Sequence, residues 1–226
     1  MFKRFFVVII SLIIVLSGCE KSQVAIDWVD FVQLDGIHYL HNDYTIDANS
    51  LGPRIGEVKF EVSNNVNDPN YKTKDGDAAF LEKGTPIYSV IGYKSSFRIA
   101  IRSSNKVRVY QVFNNPSAKI GSDIADILGK VDYIGISDET SDNEMVAIRD
   151  AQQINEMVDM VLKAPVNPLN SRRDGKRYFI SFHLKDGTEF KGAYWLESGK
   201  FFNGIMLPVD FGTIVKETMK NNSYIS

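Results

Sequence analysis

From Trp28 to about Asn115 apolar and polar residues mostly alternate with a period of two, and two later stretches switch to a period near 3.6. Residues 28–34 and 37–40 read as two strands joined at Asp35-Gly36, a pair that accepts the positive φ values of a type I′ turn. Residues 57–62 alternate cleanly, 64–77 are rich in Asn, Asp and Lys and read as a loop, and 84–90 form a turn entering a strand. Residues 97–101 and 107–113 are further strands. Five or six short strands at this spacing predict a small barrel or sandwich over residues 28–115. Asn114-Asn115-Pro116-Ser117 marks its end.

The remainder, residues 116–226, mixes both periods. A short helix is expected over 122–129, and strands over 131–137 and 145–149. Asp150 followed by Gln153 forms a capping box, after which Ile154, Met157, Val158, Val161 and Leu162 place one apolar stripe on a helix that Pro165 ends. Residues 177–184 and 189–196 alternate on either side of Asp186-Gly187, a second hairpin. A strand over 201–207 follows, and Phe211, Ile214, Val215, Thr218 and Met219 define a last helix capped by Asp210. The expected fold class is α+β: a β-rich N-terminal module (small barrel or sandwich), then an α+β module of antiparallel hairpins with two amphipathic helices. The second module's order reads ββαβββα, and each helix needs a sheet on which to bury its stripe.

The first 18 residues obey neither period. Lys3 and Arg4 precede an uncharged apolar run, residues 5–16, broken only by Ser11. Twelve residues of helix span about 18 Å against a hydrocarbon core of about 30 Å, so the run suits a signal peptide better than a membrane span. Leu16-Ser17-Gly18-Cys19 then resembles the lipobox of bacterial lipoproteins. That resemblance implies a diacylglycerol on the Cys19 sulfur, cleavage between Gly18 and Cys19, and a mature N-terminus that carries lipid, including a palmitate-type acyl chain. Residues 19–27 would be a lipidated tether, polar and short. The lipobox implies a cell-membrane location, with a Gram-positive surface preferred; the Gly84-Thr85-Pro86-Ile87-Tyr88 stretch and the Asp-Gly turns resemble uncharacterised surface lipoproteins of Bacillus-like bacteria, a likeness that carries no known activity with it.

Composition sharpens this picture. The chain has 226 residues, 44% of them hydrophobic and 24% charged, as in an ordinary folded protein, with no like-charge block or low-complexity run. Removing residues 1–18 takes Lys and Arg from 26 to 24 against 28 acidic residues, so the charge falls from −2 to −4. An acidic, exported chain is a poor match for nucleic acid. The single cysteine excludes an intramolecular disulfide and, once acylated, leaves no thiol for catalysis or metal binding.

Candidate chemistry is sparse. Walker A, G-x-G-x-x-G, H-E-x-x-H and G-x-S-x-G are all absent, so no catalytic residue, cofactor or metal is assigned. His38, His41, Asp43 and Asp47 would make a metal cluster only if the chain folded back, because strand spacing sends the two imidazoles to opposite faces; a polar hairpin edge is the plainer expectation. His183 is expected half-exposed. The acidic stretch 138–144 fails the EF-hand pattern and reads as a solvated turn. The basic stretch 171–177 could touch anionic envelope polymer or lipid head groups, or simply form a solvated turn. Phe179 and Trp195 fall out of phase with the apolar face of the second hairpin, which makes them a partner surface or a contact between modules. The leading expectation is a lipid-anchored, non-catalytic binding or interaction protein on the extracytoplasmic face of the membrane, with a protein or envelope-polymer partner. A ligand-capturing accessory for transport or sensing, and a cell-envelope enzyme, are the alternatives.

Overall fold

The computed structural model describes residues 26–103, 106–141, 143–170 and 172–222, and the signal and lipobox residues, Gly18 and Cys19 among them, lie outside these. The fold is α+β, with a curled half-barrel sheet, a second sheet and two helices. Strands β1 (Phe31–Leu34) and β2 (Ile37–Ile46) pair antiparallel across Asp35-Gly36, whose φ values of 52° and 74° are those of a type I′ turn. They join β3 (Leu51–Glu57), β4 (Phe60–Glu61), β5 (Asp77–Ala78), β6 (Pro86–Val90), β7 (Arg98–Ser103) and β8 (Lys106–Asn114) in the order β3-β6-β7-β8-β2-β1-β5-β4. The sheet is open, with β3 and β4 at its edges, rather than a closed barrel.

Two local expectations change here, and one strand not expected from the sequence is added. Residues 51–57 form an edge strand although they contain Gly52, Pro53 and Gly56, a composition tolerated where one side of the ladder is unpaired. The alternation at 57–62 buries Val58 and Val62, but its ladder shrinks to the two residues of β4, paired parallel with β5. Strand β2 is central rather than an edge: it lies between β8 and β1 and runs on to Ile46 through a bulge between His41 and Thr45. The polar loop 64–77 covers the sheet's second face, where Tyr71 packs against Trp28 and Phe60 over buried Phe31 and Val62.

The second sheet runs β10-β9-β11-β12-β13-β14, all neighbours antiparallel: β9 (Val131–Asp138), β10 (Val146–Ile148), β11 (Arg177–Leu184), β12 (Glu189–Trp195), β13 (Lys200–Phe201) and β14 (Ile205–Met206). The run expected as one strand over 201–207 is split by a tight helical turn, because Asn203 and Gly204 take φ 53° and 84°. A Cβ on Gly204 would come within 2.6 Å of the Asn167 carbonyl oxygen, so only glycine fits this crossing.

Helix α1 (Ala151–Lys163) starts at Asp150, whose carboxylate accepts the Gln153 N–H at 2.8 Å, and buries Ile154, Met157, Val158 and Val161. Helix α2 (Val209–Asn222) begins one residue before Asp210; that carboxylate therefore sits in the first turn, favourable for the helix dipole, instead of capping it. Phe211 packs edge-on against Tyr194 of β12, ring centroids 5.3 Å apart. The helix expected over 122–129 is a single turn at Gly121–Asp123. Gly121 is pressed against α1, where its N–H donates to the Ala164 carbonyl and a Cβ would collide with the Val161 carbonyl. The Asp123 carboxylate is occupied by the N–H groups of Lys119 and Ile120. One apolar cluster extends from Val32 through Ile99, Ile134 and Phe182 to Val215, so the two sheets share a core. No helix among the described residues is long and apolar enough to cross a membrane.

Candidate functional site

The centre of the molecule is polar at one point. Arg98, at the start of β7, is only 1% exposed. All five of its N–H donors are used: Nε and Nη2 donate to Gln111 Oε1 (3.1 and 3.0 Å), Nη1 to Thr188 Oγ1 (2.6 Å) and Asp186 Oδ2 (3.2 Å), and Nη2 to the Glu189 carbonyl (3.2 Å). Gln111 lies opposite Arg98 on β8, while Asp186 and Thr188 lie in the turn between β11 and β12 and Glu189 opens β12. Arg98 thus fastens the first sheet to the second. Its guanidinium also lies over the rings of Phe97 and Tyr93, at 4.6 and 4.8 Å, and Tyr93 donates to Asp186 Oδ2 at 2.7 Å. Burial lowers the Arg98 pKa, an effect opposed by the Tyr93 and Asp186 oxygens. Burial raises that of Asp186, but hydrogen bonds from Thr188 and Tyr93 and the Arg98 charge outweigh it and leave the carboxyl below its usual value.

The end of the second sheet where β9 meets β11 carries ordered charge pairs. Lys176 and Arg177 of the basic stretch 172–177 pair with Asp138 and Glu139 of the acidic stretch 138–144, while Arg172 pairs within its own stretch. Lys176 meets Asp138 at 2.6 Å, Arg177 Nε meets Glu139 at 2.9 Å, and Arg172 meets Asp174 at 2.6 Å. Two separate solvated turns are replaced by one clasp between neighbouring strands β9 and β11. The Lys176 hydrogen bond and two from Thr140 push the Asp138 carboxyl down to about 2. Because the folded value lies below the unfolded one, its stabilisation is complete above about pH 4 and lost as pH falls toward 2. Asp138→Asn should cost about 1–2 kcal/mol at pH 7 and flatten the urea-midpoint profile between pH 4 and 2. An unchanged profile would remove the clasp from the stability of the fold.

His183, one-quarter exposed, stacks on Tyr133 at 4.1 Å and 11°, and its Nε2 pairs with Glu144, with Glu189 Oε2 3.9 Å away. Glu144 reaches it by lying on Gly135, where a Cβ would occupy the carboxylate's position. Glu189 is shared with Lys191 and Tyr44, and these hydrogen bonds outweigh desolvation to lower its pKa. Among the described residues no group of three or more His, Asp or Glu is placed to hold a metal ion. His38 instead stacks on Phe31 at 4.6 Å, and His41 hydrogen-bonds the Val109 carbonyl at 2.9 Å. Asp43 is exposed, and Asp47 caps the turn at Ala48–Ser50.

Phe179 and Trp195 lie on the outward face of β11 and β12, opposite to the buried Tyr178 and Tyr194; Trp195 pairs with Arg177, two residues from Phe179. Phe179 is 37% exposed under the Arg177 guanidinium, and Trp195 is half-buried under that of Arg173, 5.2 Å from its ring. Trp195 lines a hollow of about 360 Å³ at the junction of the sheets, bordered by Phe113 and Asn114 from the end of β8 and by Phe202 and Asn203. Phe179 does not reach it. Period-two phasing brings these two aromatics out of the sequence, but Arg98 has no local signal: its partners in the second sheet lie 88–91 residues away.

The architecture defines a two-sheet α+β protein with a clasped inter-sheet junction and an aromatic hollow beside it. No protein-family model matches the chain, and no curated protein or solved structure shows significant similarity to it.

Proposed function

We propose that this chain is a lipid-anchored extracytoplasmic protein of a bacterial envelope, and that it acts as a non-catalytic binding or interaction protein displayed on the membrane surface. The observation that carries this reading is the place of the sole cysteine, directly after a positive start, an apolar run and Leu16-Ser17-Gly18. Acylation there would leave residues 20–27 as a tether, about 28 Å at full extension, holding a β-rich module (28–115) and an α+β module (116–226) near the bilayer. Confinement to that layer raises the effective concentration of any partner in it and favours weak contacts. The face bearing Phe179 and Trp195 is the surface we assign to the partner. The 360 Å³ hollow favours a second reading, capture of a small ligand in support of transport or sensing.

In-cell photocrosslinking tests the display reading. A crosslinker at Phe179 or Trp195 should capture a discrete partner that one at Ile91, which is 60% exposed, does not capture. The same diffuse adducts from all three positions would dispose of a specific surface there.

A further inference from the structure

We propose that the hollow beside Trp195 is a subsite for an acidic sugar, a ring bearing a carboxylate or a phosphate. The proposal rests on the ligand-capturing reading and names its ligand class. Its basis is a charge left over. Arg172, Lys176 and Arg177 each hold a carboxylate, whereas Arg173, in the same segment, makes no ion pair among the described residues and lies over the indole at the border of the hollow. On a chain with more acidic than basic residues, an unpaired guanidinium beside a concavity is a site for an anion.

The other walls say what kind of anion. Phe113 and Trp195 contribute aromatic rings to the lining, and Asn114 an amide. A pyranose has complementary parts: C–H groups that lie against an aromatic ring, and a rim of hydroxyls that exchange hydrogen bonds with amides. Asn203, held at φ 53°, shapes the turn that borders the hollow. At about 360 Å³ the hollow lies at the small end of ligand sites, enough for a short saccharide and not for a folded partner.

The test uses the full lipidated chain in detergent micelles at low salt, with calorimetric titration of digalacturonate, glucose 6-phosphate, neutral maltose, inorganic phosphate and hexaglutamate. One of the acidic sugars should bind saturably, at least about tenfold tighter than maltose and than phosphate, and Arg173→Gln should weaken it about tenfold without moving the melting temperature. Which of the two binds tells carboxylate from phosphate. Trp195→Phe, which keeps a ring, should weaken it less than Trp195→Leu. Absence of binding by both acidic sugars, or binding that Arg173→Gln leaves unchanged, overturns the proposal. Should hexaglutamate bind in a Trp195-dependent way while the sugars do not, the ligand class falls and the binding surface stands. Should every probe fail and the crosslinks from Trp195 be diffuse, both fall.

Discussion

Arg98→Met should destabilise the fold by about 3 kcal/mol, the cost of stripping a donor from several buried acceptors and the cation from a partly exposed Asp186. Methionine fills a similar volume, so packing loss is small and the penalty comes from the groups left behind. Gln111 Oε1, the Glu189 carbonyl and Thr188 Oγ1 lose a donor, and Asp186 loses its cation. For a chain of this size that predicts a fall in melting temperature of about 10 °C. Arg98→Lys should recover only part of it, since an ammonium has three donors on a single nitrogen and cannot span Gln111 and Thr188 together. The double variant Arg98→Met/Asp186→Asn should lose less than the sum of its single changes, because the second substitution removes the charge that the first strands. Urea denaturation with a double-mutant cycle measures all three. A loss below about 1 kcal/mol for Arg98→Met would mean that water enters the junction and that the sheets are joined by apolar contact alone.

What the sequence reveals and conceals follows from range. The Asp35-Gly36 hairpin, the Asp150 cap and the apolar stripe of α1 are decided within a few residues, and the structure has them in place. Residues 201–207 mislead because their apolar content suits a strand while Asn203-Gly204 take left-handed angles that break the ladder. The 122–129 segment misleads differently. Its apolar spacing is helical, but Gly121 and Asp123 are claimed by α1 and by the preceding backbone, and tertiary contacts outweigh a weak local preference. Strand β3 is hidden by Gly and Pro that only an edge position tolerates. At the candidate site, the phase of Phe179 and Trp195 marks an outward face, yet the hollow is assembled from β8 and from the β13–β14 turn, which no local window joins. The charge clasp is legible only in retrospect: stretches 138–144 and 172–177 are opposite in sign, and they meet because β9 pairs with β11 in the register Tyr178 to Asp138.

On the proposed lipobox reading, Cys19→Ala should abolish incorporation of labelled fatty acid and release or strand the protein. A thioether at this position would need the sulfur, and alanine would also deny a lipoprotein peptidase the acylated residue on which it acts. The precursor should therefore retain residues 1–18 and run about 2 kDa heavier than the mature polypeptide, a mass step expected for a signal of this length. Cys19→Ser separates acylation from local shape: it keeps size and polarity, lacks the thiol, and should behave like Cys19→Ala. Two or more acyl chains anchor stably where one binds only marginally, so the wild-type protein should stay with the membrane through high-salt and carbonate washes. Neither substitution touches the described fold, so the released or retained variant should keep the wild-type melting temperature. If Cys19→Ala still carries the fatty-acid label, another residue is modified and the lipobox reading fails. If the wild type carries none and fractionates with soluble proteins, the anchor is absent, and the argument for weak, layer-confined partners at the Trp195 face goes with it.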